Sequence, residues 1–113
     1  MSETECIFCK IATKELSSKI IFENEGFIAF PDIRPVSPTH ILVIPKKHFK
    51  NLQEVDDTTI LGGLLTAVKE VAKLQGLNDG FRTVINTGDN GGQTVHHLHA
   101  HVLGGRFHKW PPG

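Results

Sequence analysis

Gly91-Gly92-Gln93-Thr94-Val95-His96-His97-Leu98-His99-Ala100-His101-Val102-Leu103 is the stretch from which the rest of the chain is read. Histidine recurs at every second position from His97 to His101, with Leu98, Ala100, Val102 and Leu103 between and after. A period of two is the strand period, so His97, His99 and His101 are expected on one face and the apolar residues on the other. At a rise of roughly 3.3 Å per residue, neighbouring rings on that face start about 6–7 Å apart. Two imidazoles at that spacing can touch opposite sides of one phosphate. The glycines ahead of them let backbone N–H groups approach an anion closely. A lone histidine is usually a satisfied core or surface residue. Three in register, in a chain with 7 His in all, point to a site.

Outward from that stretch, Phe81–Asn86 reads as the strand before the loop, and His97–Leu103 as the strand after it. Earlier, Lys19–Glu23 and Phe27–Phe30 flank the turn signal Asn24-Glu25-Gly26 and form a hairpin. Pro31, Pro35 and Pro38 keep the next segment irregular. His40–Pro45 is a strand whose continuous apolar run predicts burial on both faces. Asp56-Asp57 supplies acidic capping for a helix through about Leu74, with an apolar stripe of Ile60, Leu61, Leu64, Leu65, Val68, Val71 and Ala72, and Gly76 as its C-terminal cap. Gly62-Gly63 inside this helix costs about 1 kcal/mol each relative to alanine, offset by close packing or simply tolerated as local plasticity. Cys6–Ala12 reads as a short helix or turn whose Ile7, Phe8 and Ile11 can share a face. Five short strands and one long helix, with a short N-terminal helix, predict an α+β fold around a five-stranded antiparallel sheet in a single domain, residues 1–113.

Composition bounds the function classes. With 12 Lys+Arg against 12 Asp+Glu, the charge is balanced, so neither a nucleic-acid nor a membrane-surface partner is expected. No apolar run is long enough to span a bilayer, and the polar start lacks a secretory pattern, so a cytoplasmic location is expected. In a reducing compartment Cys6 and Cys9 are metal ligands, redox groups or inert thiols rather than a structural disulfide. Two thiolates at this spacing can form half of a tetrahedral zinc site. The plainer alternative is a pair of unligated thiols.

His97-Leu98-His99-Ala100-His101-Val102-Leu103 resembles the His-φ-His-φ-His-φ-φ motif, φ being apolar, of the histidine triad (HIT) family of nucleotide hydrolases and transferases. The tail, Leu103-Gly104-Gly105-Arg106 through Trp110-Pro111-Pro112-Gly113, is similar to the Hint branch. This resemblance covers essentially the whole chain. It implies a HIT-like fold, a homodimer, and hydrolysis of purine nucleoside 5′-phosphoramidates to AMP or GMP and an amine. It implies His99 as nucleophile, His101 as its phosphate-contacting partner, and His97 and His40 as supporting histidines. That assignment agrees with elementary chemistry: a neutral imidazole attacks phosphorus and a second one moves the proton, with no metal at phosphorus.

The same resemblance places the nucleotide among Phe8, Ile11, Phe30, Asp32, Ile33, Asn86, Gly92, Gln93, Thr94, His99, His101 and Trp110. Asp32 would accept from ribose, and the loop would offer backbone donors plus the Gln93 and Thr94 side chains. The pattern departs at Pro31, where Hint proteins often have His. Thr94 replaces a Ser common among relatives. Each apolar residue taken singly is more often core than pocket, and Trp110 serves equally well as a packing anchor or as a group reaching a partner subunit's site. Some relatives complete a zinc site with a His after the third strand and the first triad His, here His48 and His97. The rival readings are a nucleotide- or zinc-binding module without turnover, and a catalytic metal held by three histidines.

Overall fold

The computed structural model describes residues 5–113. The elements run α1 (Ile7–Ala12), β1 (Phe22–Glu23), β2 (Phe27–Pro31), β3 (Thr39–Pro45), α2 (Thr58–Leu74), β4 (Arg82–Val84) and β5 (Ala100–Gly104), with a 3₁₀ turn at Leu52–Glu54 between β3 and α2. The five strands form one sheet in the order β1-β2-β3-β5-β4, every neighbouring pair antiparallel. The α+β architecture expected from sequence is therefore the observed one.

Strand alternation sorts the side chains into two cores. On one face Phe27, Ala29, Ile41, Val43, Ala100 and Val102 pack against Leu64, Ala67, Val68 and Val71 of α2. On the other face Ile28, Phe30, Leu42 and Ile44 pack against Cys6, Phe8 and Ile11 of the α1 segment. Burial on both sides explains the apolar run of β3, each such side chain contributing about 1.5–3 kcal/mol. Leu42 pairs with His101 across the β3–β5 register and Val43 with Ala100. His101 therefore lies on the α1 face, away from α2.

The helix limits have local causes. Asp57 caps α2 by accepting from the Thr59 N–H at 2.8 Å. At the other end Gly76 has φ of +70°, with Gly76 N–H donating to Lys73 O and Leu77 N–H to Ala72 O. That pair of bonds is the Schellman arrangement, which glycine accommodates without a Cβ penalty. The two mid-helix glycines differ. A Cβ at Gly63 would lie 2.6 Å from the Phe27 ring, whereas one at Gly62 would meet nothing within 4 Å. Close packing thus accounts for Gly63 alone.

Several expected boundaries shift. Leu65 of the predicted stripe and Ile7 of α1 are exposed, at 52% and 45%. The strand expected from His97 begins only at Ala100. The β3–β5 ladder ends at the Val43–Ala100 pair, two residues before β3 itself ends at Pro45, and Leu98 N–H donates to the loop carbonyl of Phe49 at 2.7 Å. The strands expected over 19–23 and 81–86 contract to Phe22–Glu23 and Arg82–Val84.

Candidate functional site

Four imidazoles gather where β3 and β5 meet α1. His97 is fully buried, His99 and His40 nearly so, and His101 half-buried. Their tautomers follow from their partners, because a carbonyl can only accept and a backbone N–H can only donate. His99 Nδ1 lies 2.7 Å from His97 O, so Nδ1 carries the proton and Nε2 keeps a bare lone pair. Val36 N–H donates to His40 Nδ1 at 3.1 Å, which puts the neutral His40 proton on Nε2. That proton points to His101 Nδ1 at 2.8 Å, and Asp32 Oδ2 lies 3.4 Å from His40 Nε2. His101 Nδ1 accepts, leaving its own proton on Nε2. The His99 and His101 rings sit 5.0 Å apart between centroids. One ring thus offers a lone pair and its neighbour a proton.

The electrostatics keep these rings neutral. Burial lowers the His99 pKa, opposed by the His97 carbonyl and Asp32. Burial also lowers His40, against Asp32. His101 is pushed down to about 4, first by burial and then by the neighbouring His99 and His40. Asp32 is itself oriented, its Oδ1 accepting from Arg34 N–H at 2.8 Å.

A second cluster adjoins the first. Cys6 and Cys9 meet His48 and His97 with all four ligand atoms within 4.8 Å of one another. Cys6 Sγ is 3.3 Å from His97 Nδ1, Cys9 Sγ is 3.5 Å from the same nitrogen, and Cys9 Sγ is 3.2 Å from His48 Nδ1. In a tetrahedral zinc site with Zn–S about 2.3 Å and Zn–N about 2.0–2.1 Å, sulfur and nitrogen stand about 3.5 Å apart. His97 Nε2 donates to Pro45 O at 2.8 Å, which aims the unprotonated Nδ1 at the thiols, as a metal-ligating histidine requires. The residues therefore fit a zinc ion. A cleft of about 420 Å³ opens beside Cys9 and His48, with Lys10, Lys46 and Lys47 on its walls. Asp32, His40 and His101 also converge, but the Val36 N–H on His40 Nδ1 keeps a proton on Nε2, the nitrogen a metal would need. That trio is built to carry a proton.

The remaining expected residues divide. Phe8, Ile11 and Phe30 are buried in the second core, so they floor the site instead of lining an open slot. Phe8 stands edge-on to both His97 and His99, at 5.9 and 5.2 Å. Ile33 is 91% exposed beside Asp32. Asn86 Nδ2 donates to Gly91 O at 2.7 Å and braces the loop. Gln93 departs from the expectation of a free phosphate donor. Its amide donates to Lys50 O and Val95 O while its Oε1 accepts from Gly88 N–H, so it pins the loop in place. Gly92, at φ +77°, and Thr94 are exposed on that loop. Trp110 is 81% exposed, on a tail tied to β4 through Arg82 Nη2, which donates to His108 O and Lys109 O. The carbonyls of Pro45 and Phe49 and the N–H of Val36 were not anticipated, since backbone groups carry no side-chain signature.

The lowered His101 pKa sets a pH dependence. As pH falls, the unfolded chain, with its ordinary value of 6.5, takes up the proton before the folded one does. The stabilising contribution is present above pH 6.5 and is lost as pH falls from there to about 4. His101→Gln should lose less urea resistance than the parent across that window; an equal or steeper loss would contradict the assignment.

Residues 13–108 match the HIT domain. The chain is 47% identical to a 14 kDa zinc-binding protein of Zea mays, over 100% of this chain and 91% of that one. Its fold superposes on a HIT family hydrolase from Legionella pneumophila with a TM-score of 0.92 at 46% identity, covering 96% and 100% of the two chains. A Zn-bound histidine triad family protein from Mycobacterium smegmatis gives a TM-score of 0.84 at 34% identity, covering 93% of this chain and 78% of that one. With the matched domain spanning most of its length and the histidine motif in place, this chain belongs to the HIT family.

Proposed function

We propose that this HIT protein hydrolyses purine nucleoside 5′-phosphoramidates through a covalent nucleotidyl-histidine. The observation that carries the reading is the pairing of a bare Nε2 on His99 with a protonated Nε2 on His101. His99 Nε2 attacks the α-phosphorus, the P–N bond to the leaving group breaks, and the departing amine takes the proton from His101 Nε2. His101 Nε2 regains its proton from solvent, while His40 Nε2–H keeps its hydrogen bond to His101 Nδ1 and holds that ring in place. The positive charge that phosphorylation places on the His99 ring balances the proton taken up from solvent. In the second half, water attacks phosphorus, its proton passes to solvent, the P–N bond to His99 breaks, and the nucleoside monophosphate leaves with His99 neutral again. Asp32 is suited to accept from ribose hydroxyls, and the Gly91–Thr94 loop to face the phosphate. The likeness to a HIT family hydrolase supports enzymatic turnover.

We also propose one zinc per chain, held by Cys6, Cys9, His48 and His97. The donor separations support it, as does the likeness to a zinc-binding relative and to a Zn-bound neighbour. Bound there, zinc supplies structural cross-linking, and no bond at phosphorus is made or broken by it. A homodimer is supported by the exposure of Phe81 beside the edge strand β4 and of Phe107 and Trp110 on the tail.

His99→Ala should abolish hydrolysis of adenosine 5′-phosphoramidate while AMP binding by calorimetry persists. His101→Ala should lose about 10²–10⁴-fold and allow the adenylylated His99 adduct to be trapped for mass spectrometry. Binding of AMP with no turnover by the parent protein would favour the non-catalytic reading. Elemental analysis of untagged protein should return one zinc per chain, and substoichiometric metal unaffected by Cys6→Ser or Cys9→Ser would remove the metal site. Sedimentation velocity at micromolar concentration should give a dimer, and a lone monomer peak would count against it.

A further inference from the structure

We infer that the single peptide group joining His97 to Leu98 positions the nucleophile and is itself held by the metal centre, so that His48 and the two cysteines act on catalysis through it. This rests on the phosphoramidase reading and extends it to residues that touch neither phosphorus nor leaving group. The carbonyl of that peptide accepts from His99 Nδ1 at 2.7 Å. Its N–H, in the same rigid plane, donates to Phe49 O at 2.7 Å. One end of the peptide thus orients the nucleophilic ring and the other is anchored in the loop that follows β3.

Both anchors of this peptide are bonded neighbours of metal-ligand side chains. His97, which owns the carbonyl, has its ring fixed by Pro45 O on one nitrogen and lies against Cys6 and Cys9 with the other. His48, which precedes Phe49, lies against Cys9 through its Nδ1, and the His48 and His97 rings meet edge-on with centroids 5.0 Å apart. A metal held by these four side chains therefore clamps residues 48–49 to residues 97–98. Phe8, in the segment carrying both cysteines, presses the same two rings, His97 and His99. When the clamp is lost, the His97–Leu98 peptide can rotate and His99 Nδ1 loses its fixed acceptor. The ring proton then divides between Nδ1 and Nε2, and the lone pair is no longer always aimed at phosphorus. Misplacement of a reacting group by about 1 Å can cost about 10²-fold in rate. The expected signature is a fall in kcat of about 10- to 100-fold with AMP affinity held within about threefold.

The test compares the parent protein with His48→Ala and His48→Cys, each assayed for zinc content, folding, kcat and AMP affinity. Nitrogen-15 NMR of the imidazoles reports the His99 tautomer directly. The parent should show one Nδ1–H form. His48→Ala should lose zinc, show mixed tautomers and lose kcat, and His48→Cys, which restores a fourth ligand, should recover all three. His48→Ala that folds without zinc yet keeps kcat within twofold and a single His99 tautomer would overturn the inference. If His48→Ala fails to fold, the parent loaded with cobalt(II) decides. AMP contacting His99 should then shift the cobalt d–d bands, and bands unmoved at saturating AMP would overturn the coupling. A parent protein that hydrolyses no phosphoramidate would sink the proposed function instead, with the NMR and cobalt arms still judging the coupling.

Discussion

A buried ring N–H without a partner costs about 1–3 kcal/mol, and this protein sinks several imidazoles into one sheet face. Where each ring sends its proton therefore governs the site. His97 sends its own to Pro45 O, His99 to His97 O, and His40 to His101. Each choice leaves one nitrogen with a lone pair or a proton facing a defined direction. A different tautomer at any ring would bury an unpaired donor and oppose two lone pairs elsewhere. The chemistry of the site is thus a by-product of satisfying buried polar groups, and the fold fixes it before substrate arrives.

The sheet supplies the frame for that satisfaction. β3 lies between β2 and β5, buried on both faces, so its backbone and that of β5 are the least free to move. His40 and His101 are carried on these two strands near their paired ends, Leu42 opposite His101 and His40 opposite Leu103. The short distance between their rings follows from that register. α2 covers the opposite face, where the buried cluster is built from apolar side chains.

Much of this could be read from the chain. Alternation of His and apolar residues over 97–103 predicted one histidine face and one packed face, and the apolar run of 40–45 predicted a doubly buried strand. Asp57 and Gly76 marked the limits of the long helix because capping chemistry is local. The strand did not reach back to His97, because Leu98 N–H goes to the carbonyl of Phe49 in the loop after β3 and not to a strand. Gln93 looked like a phosphate donor because an amide in a glycine loop has that capacity. Only three-dimensional context revealed Lys50 O and Val95 O as its acceptors, 43 and 2 residues away. The roles of Pro45, Phe49 and Val36 were illegible for a different reason. They act through backbone atoms, which every residue possesses.

His97 shows why a motif of three evenly spaced histidines does not describe three equivalent groups. Its ring faces the thiols and Pro45, while its carbonyl faces His99. The ring is suited to metal while the backbone carbonyl orients the His99 ring, so one residue serves both clusters through different atoms. Had the strand continued through His97, its carbonyl would lie in the sheet plane and be taken by a neighbouring strand's N–H. His99 Nδ1 would then need another acceptor. The bend at 95–97 breaks the strand pattern and frees that carbonyl for the ring two residues on. The irregular segment is what gives the His99 ring one fixed tautomer, with its Nε2 lone pair held in one direction.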